Sequence, residues 1–133
     1  MNTKVKYIFV YGTLQVGGRL SHNHDALRGL VRKACIKGDM YNIADAYPAV
    51  INIGSDNTVH GELHEYSDIK EALRIADRIE GCYGDDFNNL YNRVLVHAKL
   101  ESGDLVQAWV YVYNNDKFSK QDYKQIKEGV WVL

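Results

Sequence analysis

Short apolar runs separated by turn residues dominate the chain, and one stretch alone shows clear helical periodicity. Lys4 to Tyr11 starts with polar–apolar alternation and becomes a continuous Tyr-Ile-Phe-Val-Tyr run. That is the pattern of a strand whose far end is covered on both faces. It stops at Gly12, and Gly17-Gly18 extend the irregular segment that follows. Asp25 to Leu30 is expected as a short helix, with strands near Ala34 to Ile43 and Ala49 to Ile53. Gly54-Ser55-Asp56-Asn57 marks a turn before a strand over Thr58 to Tyr66. Leu90 to Leu100 and Leu105 to Tyr113 read as two long strands joined by the hairpin turn Glu101-Ser102-Gly103-Asp104. Ser119 to Lys127 is expected as a short polar helix, and Val130 to Leu133 as an apolar tail that docks back.

The periodic stretch runs from about Asp68 to Glu80. Asp68 is placed to cap the helix, with Glu71 three residues on, and Gly81 stands where a left-handed terminator belongs. Ile69, Ala72, Leu73, Ala76 and Ile79 form one stripe. At about 100° per residue, Glu80 lies within roughly 20° of Ile69 and so inside that stripe. Lys70, Glu71, Arg74, Asp77 and Arg78 occupy the opposite arc. About six strands joined by short turns, with one main helix, favour an α+β fold. Its expected form is a single-domain, mixed but mostly antiparallel β-barrel with short flanking helices, over residues 1–133. A doubly wound fold needs more alternating helices than the chain holds.

Composition narrows the function classes. The 133 residues are 46% hydrophobic and 25% charged, which excludes disorder and coiled coil as overall descriptions. Sixteen basic against 17 acidic residues leave no excess charge for non-specific nucleic-acid binding. No apolar run approaches the ~20 residues of a membrane span, and the N-terminal segment lacks a signal-peptide cleavage site. Cys35 and Cys82 are too few for a disulfide framework. A soluble, cytoplasmic protein is expected.

Glu80 is the most informative candidate. It is the one acid on the apolar face, and it comes at the last helical turn. Desolvation and the negative end of the helix dipole both favour its protonated form, as a general acid/base near neutral pH requires. The competing reading lets the helix end fray, so that Glu80 turns to water or pairs with Arg93. Tyr11-Gly12-Thr13-Leu14 forms a second candidate: glycine admits close backbone approach, and the following amides can cradle a carboxylate or oxyanion. Strand, glycine and loop are also ordinary punctuation. Gly12, Gly17 and Gly18 fit neither a dinucleotide fingerprint nor a phosphate loop. His60 and His64 share a strand face but lie roughly 13 Å apart, too far for one zinc. His22 and His24 lack a third ligand, and Cys82 has no histidine placed to activate it. The tyrosines and Trp109 of the last hairpin are expected to serve packing and pocket lining.

Several ordered pieces spread over most of the chain resemble the γ-glutamylcyclotransferase-like family, especially its small γ-glutamylamine cyclotransferase branch. Val10-Tyr11-Gly12-Thr13-Leu14 resembles the family's glycine loop, followed by Asn23-His24 and Tyr47-Pro48-Ala49-Val50. Val59-His60-Gly61-Glu62-Leu63 resembles the strand before the helix. Asp77-Arg78-Ile79-Glu80-Gly81 is similar to the segment bearing the catalytic glutamate, and Tyr91-Asn92-Arg93 to the strand after it. Gln15 stands where a basic residue is usual and Ala76 where a leucine is, departures that bear on substrate choice.

The resemblance implies a barrel with a pocket at the glycine loop, and release of 5-oxoproline and a free amine from a small γ-glutamyl amide. Glu80 is then the catalytic acid/base, and Tyr11, Gly12, Thr13, Leu14 and Tyr91 are substrate-binding residues. Ring closure is intramolecular, so no metal, cofactor or nucleophilic side chain is needed. A non-catalytic module that binds a small ligand in the same pocket is the alternative. Neither the amine part of the substrate nor the oligomeric state is written in the sequence.

Overall fold

A computed structural model describes residues 5–12, 15, 28–44, 46–82, 89–114 and 123–132. Eight strands and one helix are formed among them: β1 (Tyr7–Val10), β2 (Arg28–Lys37), β3 (Asp39–Ile43), β4 (Tyr47–Ile51), β5 (Thr58–Tyr66), α1 (Ile69–Glu80), β6 (Tyr91–Leu100), β7 (Leu105–Tyr113) and β8 (Tyr123–Gln125). Five strands close a barrel in the order β1-β5-β2-β6-β7, and β4-β3-β8 form a separate sheet. Four of the barrel's pairings are antiparallel. The closure is parallel, with Ile8 of β1 opposite Trp109 of β7. The barrel is therefore mixed and mostly antiparallel, as expected, with five strands rather than about six.

The continuous apolar run of β1 has a direct explanation. Ile8 and Val10 enter one core, together with Ile69, Ala72, Leu73 and Ala76 of α1. Phe9 and Tyr11 point the other way, into a second core that also takes Ala34, Ile36, Val59, Leu63, Val96 and Val110. A strand with apolar partners on both faces has no polar side to alternate with.

Two expected helices are corrected. Arg28–Leu30 belong to β2, and Tyr123–Gln125 form β8; residues 25–27 and 119–122 lie outside the described residues. The β8 strand is short and exposed, with Tyr123 half-exposed and its ring edge-on to Tyr41, so its three side chains carry no pattern that announces it. Its conformation comes from pairing with β3, extended by the Ile126 amide donating to the Met40 carbonyl at 2.8 Å. The single strand expected over Ala34 to Ile43 is broken at Gly38 into β2 and β3. The tail docks at Gly129, whose carbonyl accepts from the His60 amide at 2.7 Å. Gly129 has φ +67°, and a Cβ there would meet the Thr58 carbonyl oxygen at 1.8 Å. Trp131 follows it onto the second core, while Val130 and Val132 stay exposed. Among the described residues no helix is long and apolar enough to cross a membrane.

Candidate active site

The site begins at the end of α1. The Asp68 carboxylate caps the first turn by accepting from the Glu71 amide, and Gly81 ends the helix in the left-handed region at φ 66°. The Cys82 amide returns to the Asp77 carbonyl at 2.8 Å, and the Leu90 amide donates to the Gly81 carbonyl at 3.0 Å. This closure holds the last turn in place, and Glu80 is its final residue.

Glu80 is partly buried, and burial pushes its carboxyl pKa up to about 7. Arg93 does not neutralise it: its Nη1 lies 2.9 Å from both Asp77 carboxylate oxygens. Among the described residues no hydrogen bond or ion pair ties the Glu80 carboxyl down. Among the described residues, the groups its charge perturbs are phenols. Burial, then the charge of Glu80, raises Tyr11 well above the usual phenol range, with the Val50 amide acting the other way. Burial first, and Glu80 among the lesser causes, also raise Tyr91 and Tyr111.

Each of these three hydroxyls spends its one proton elsewhere. Tyr11 donates to the Tyr111 main-chain oxygen at 2.7 Å, and Tyr111 donates to Asp77 Oδ1 at 2.6 Å. Tyr91 donates to the Pro48 carbonyl in a short contact. A phenol has a single donor, so only acceptor lone pairs remain for Glu80.

Gly12 lies on the same side, because a Cβ built there would stand 2.7 Å from Pro48 Cγ. The Gly12 carbonyl accepts both the backbone amide and the side-chain amide of Gln15, at 3.1 and 3.2 Å. Tyr11 and Tyr91 thus lie within electrostatic reach of Glu80, and Gly12 lies against Pro48. Thr13 and Leu14 lie outside the described residues, as do His22 and His24. His60 is exposed, whereas His64 is fully buried and contacts Glu62 at 2.9 Å. Cys82 packs against the first core. Among the described residues no group of three His, Cys, Asp or Glu side chains is placed to hold a metal ion.

Tyr111, Asp77 and the Pro48 carbonyl complete the arrangement; the sequence places Asp77 and Pro48 in motif segments and Tyr111 among the pocket-lining tyrosines, but gives none of them an individual partner. Periodicity assigned Asp77 to the solvent arc, yet it meets Arg93 and Tyr111. The alternation Trp109, Tyr111, Tyr113 on one face of β7, with Arg93 opposite Tyr111, is the signal that finds it. It becomes readable once the β6–β7 register is known.

Residues 8–133 match the family model described as gamma-glutamyl cyclotransferase, AIG2-like. The chain is 34% identical over 127 residues to the gamma-L-glutamyl-butirosin B gamma-glutamyl cyclotransferase of Niallia circulans, covering 90% of this chain and 76% of that one. Its fold is similar to that of an AIG2-like protein from Mus musculus, with TM-score 0.67 and 22% identity, over 96% of this chain and 88% of that one. It is also similar to YkqA of Bacillus subtilis, with TM-score 0.69 and 21% identity over 95% of this chain; it spans 39% of YkqA's length. With the family model matched along nearly the whole chain and a relative of named activity at this identity, the chain belongs to the gamma-glutamyl cyclotransferase, AIG2-like family.

Proposed function

We propose that the chain cyclises the γ-glutamyl group of a small γ-glutamyl amide to 5-oxoproline and releases the amine, with Glu80 as the proton carrier. One observation supports this reading above the others: a carboxyl held near pKa 7 by burial, with no counter-ion among the described residues, and three phenols coupled to its charge whose protons are committed. The reaction asks for little else. The substrate's α-amino nitrogen bonds to its own γ-carbonyl carbon, and the γ C–N bond breaks. The proton lost by the attacking nitrogen ends on the departing amine. One carboxylate poised near neutrality can take that proton and return it.

Backbone amides following Gly12 hold the substrate carboxylate or the developing oxyanion in this scheme. Tyr11 and Tyr91 form the wall beside the reacting atoms. Holding the bent conformer supplies the rest of the rate, because attack is intramolecular. The Niallia circulans relative is named for a γ-glutamyl-butirosin substrate, so a conjugate of that kind belongs among the compounds to be tested.

The test is 5-oxoproline release from a panel of γ-glutamyl amides: alkylamine, lysine ε-amine and aminoglycoside conjugates. Catalytic release from at least one class is expected. Saturable thermal stabilisation by these ligands without any product would instead identify a binding module.

A further inference from the structure

We infer that Asp77 and Arg93 are a positioning pair for Glu80, bolting the last turn of α1 to the β6–β7 hairpin and keeping the net charge beside Glu80 at zero. The inference rests on Glu80 as the proton carrier proposed above. Asp77 precedes Glu80 by three residues, so their side chains are neighbours on the helix surface. Its carboxylate takes three contacts from the hairpin: both oxygens from Arg93 Nη1 at 2.9 Å, and Oδ1 from the Tyr111 hydroxyl at 2.6 Å. Arg93 and Tyr111 are directly opposite each other in the β6–β7 ladder, so the two donors arrive from one rigid place.

The Arg93 guanidinium is held from its other side as well, 5.1 Å from the centroid of the Trp109 ring. Tyr111 passes the linkage on, since its main-chain oxygen accepts the Tyr11 hydroxyl at the end of β1. Asp77 is therefore the point at which the helix end, the hairpin and the approach to the glycine loop are joined. The Arg93 and Asp77 side chains are only 20% and 25% exposed, so solvent screens their charges incompletely.

The pair has an electrical consequence that a mere brace lacks. Among the described residues, the groups whose ionisation the charge of Glu80 perturbs are the phenols of Tyr11, Tyr91 and Tyr111, and the Asp77–Arg93 pair begins three residues before Glu80 on the same helix, its opposite charges 2.9 Å apart. Arg78, on the same turn, is exposed. Removing one member leaves an uncompensated charge at or beside a position that neighbours Glu80 on the helix surface. An unpaired Arg93 cation favours the ionised carboxylate, and an unpaired Asp77 anion favours the protonated acid.

The test compares Asp77→Asn, Arg93→Gln, the double variant and Arg93→Lys with the parent. Two readouts are taken: the pH dependence of kcat/KM, and the Glu80 carboxyl titration by carbon-13 NMR, assigned against Glu80→Gln. Asp77→Asn is expected to move the titration and the rate limb down by about one pH unit, and Arg93→Gln up by about as much. The double variant is expected to return close to the parent, and Arg93→Lys, which keeps the cation, to stay there. Shifts in the same direction, or none in either folded single variant, overturn the inference. If neither neutral variant folds, a Glu80 titration displaced in folded Arg93→Lys overturns it and an undisplaced one supports it. The NMR readout does not depend on turnover, so an inactive protein refutes the proposed function without deciding the fate of the pair.

Discussion

The hydroxyl of Tyr11 donates to the main-chain oxygen of Tyr111 at 2.7 Å, joining the end of β1 to β7 across a hundred positions of sequence. That bond fixes where the glycine turn begins relative to the hairpin. It also commits the phenol's proton, so the Tyr11 oxygen can offer Glu80 only acceptor lone pairs. The same holds for Tyr91 through the Pro48 carbonyl and for Tyr111 through Asp77. Burial favours a proton on Glu80.

Stability records this environment as a function of pH. The Glu80 pKa rises from 4.5 to about 7 on folding, so between those values the native state binds more protons than the unfolded one. Stability attributable to Glu80 therefore falls as pH rises through this window and is fully lost above it. Glutamine presents an amide N–H where the protonated acid presents its O–H. Glu80→Gln is expected to match the parent below pH ~4 and to exceed it by up to about 3 kcal/mol above pH ~8. Denaturant melts across that range check it, and a pH-independent difference contradicts it.

Gly12 is needed first for packing. A Cβ there would sit 2.7 Å from Pro48 Cγ, and a proline ring cannot swing aside. Gly12→Ala is expected to cost about 1–3 kcal/mol, as overpacking does. Pro48→Ala removes the obstructing ring, so adding it to Gly12→Ala is expected to recover part of the loss. A double-mutant cycle measures the coupling, and strict additivity contradicts the contact.

Several elements were legible because their signals are local. Thr58–Tyr66, Leu105–Tyr113 and the helix with its Asp68 cap and Gly81 terminator stand essentially where side-chain period and turn residues place them. The β8 strand was not legible, since its exposed Tyr-Lys-Gln takes its form from β3 rather than from itself. At the site, Glu80 and Tyr11 were marked by position on the helix stripe and at a strand end. Asp77 looked solvent-facing because helical period knows nothing of Arg93 arriving from β6. Tyr111 reads from sequence as packing and pocket lining, and its bond to Asp77 is not legible there because it depends on a hydroxyl direction set by tertiary contact.

Metal removal provides a further check. The proposed chemistry uses one carboxyl, backbone donors and the substrate's own amine, so exhaustive chelation is expected to leave turnover unchanged. Loss of 5-oxoproline release on chelation, restored by zinc or magnesium, contradicts a single-carboxylate reaction.

The most direct measurement is 5-oxoproline release by Glu80→Gln and Glu80→Asp, each confirmed folded by its melting curve. Glutamine keeps the shape but carries no transferable acid proton, and aspartate withdraws the carboxyl by one methylene from its place among Tyr11, Tyr91 and Tyr111. Turnover is expected to fall by at least ~10² in Glu80→Gln, with severe loss in Glu80→Asp as well. Near-parental turnover by folded Glu80→Gln would contradict Glu80 as the proton carrier.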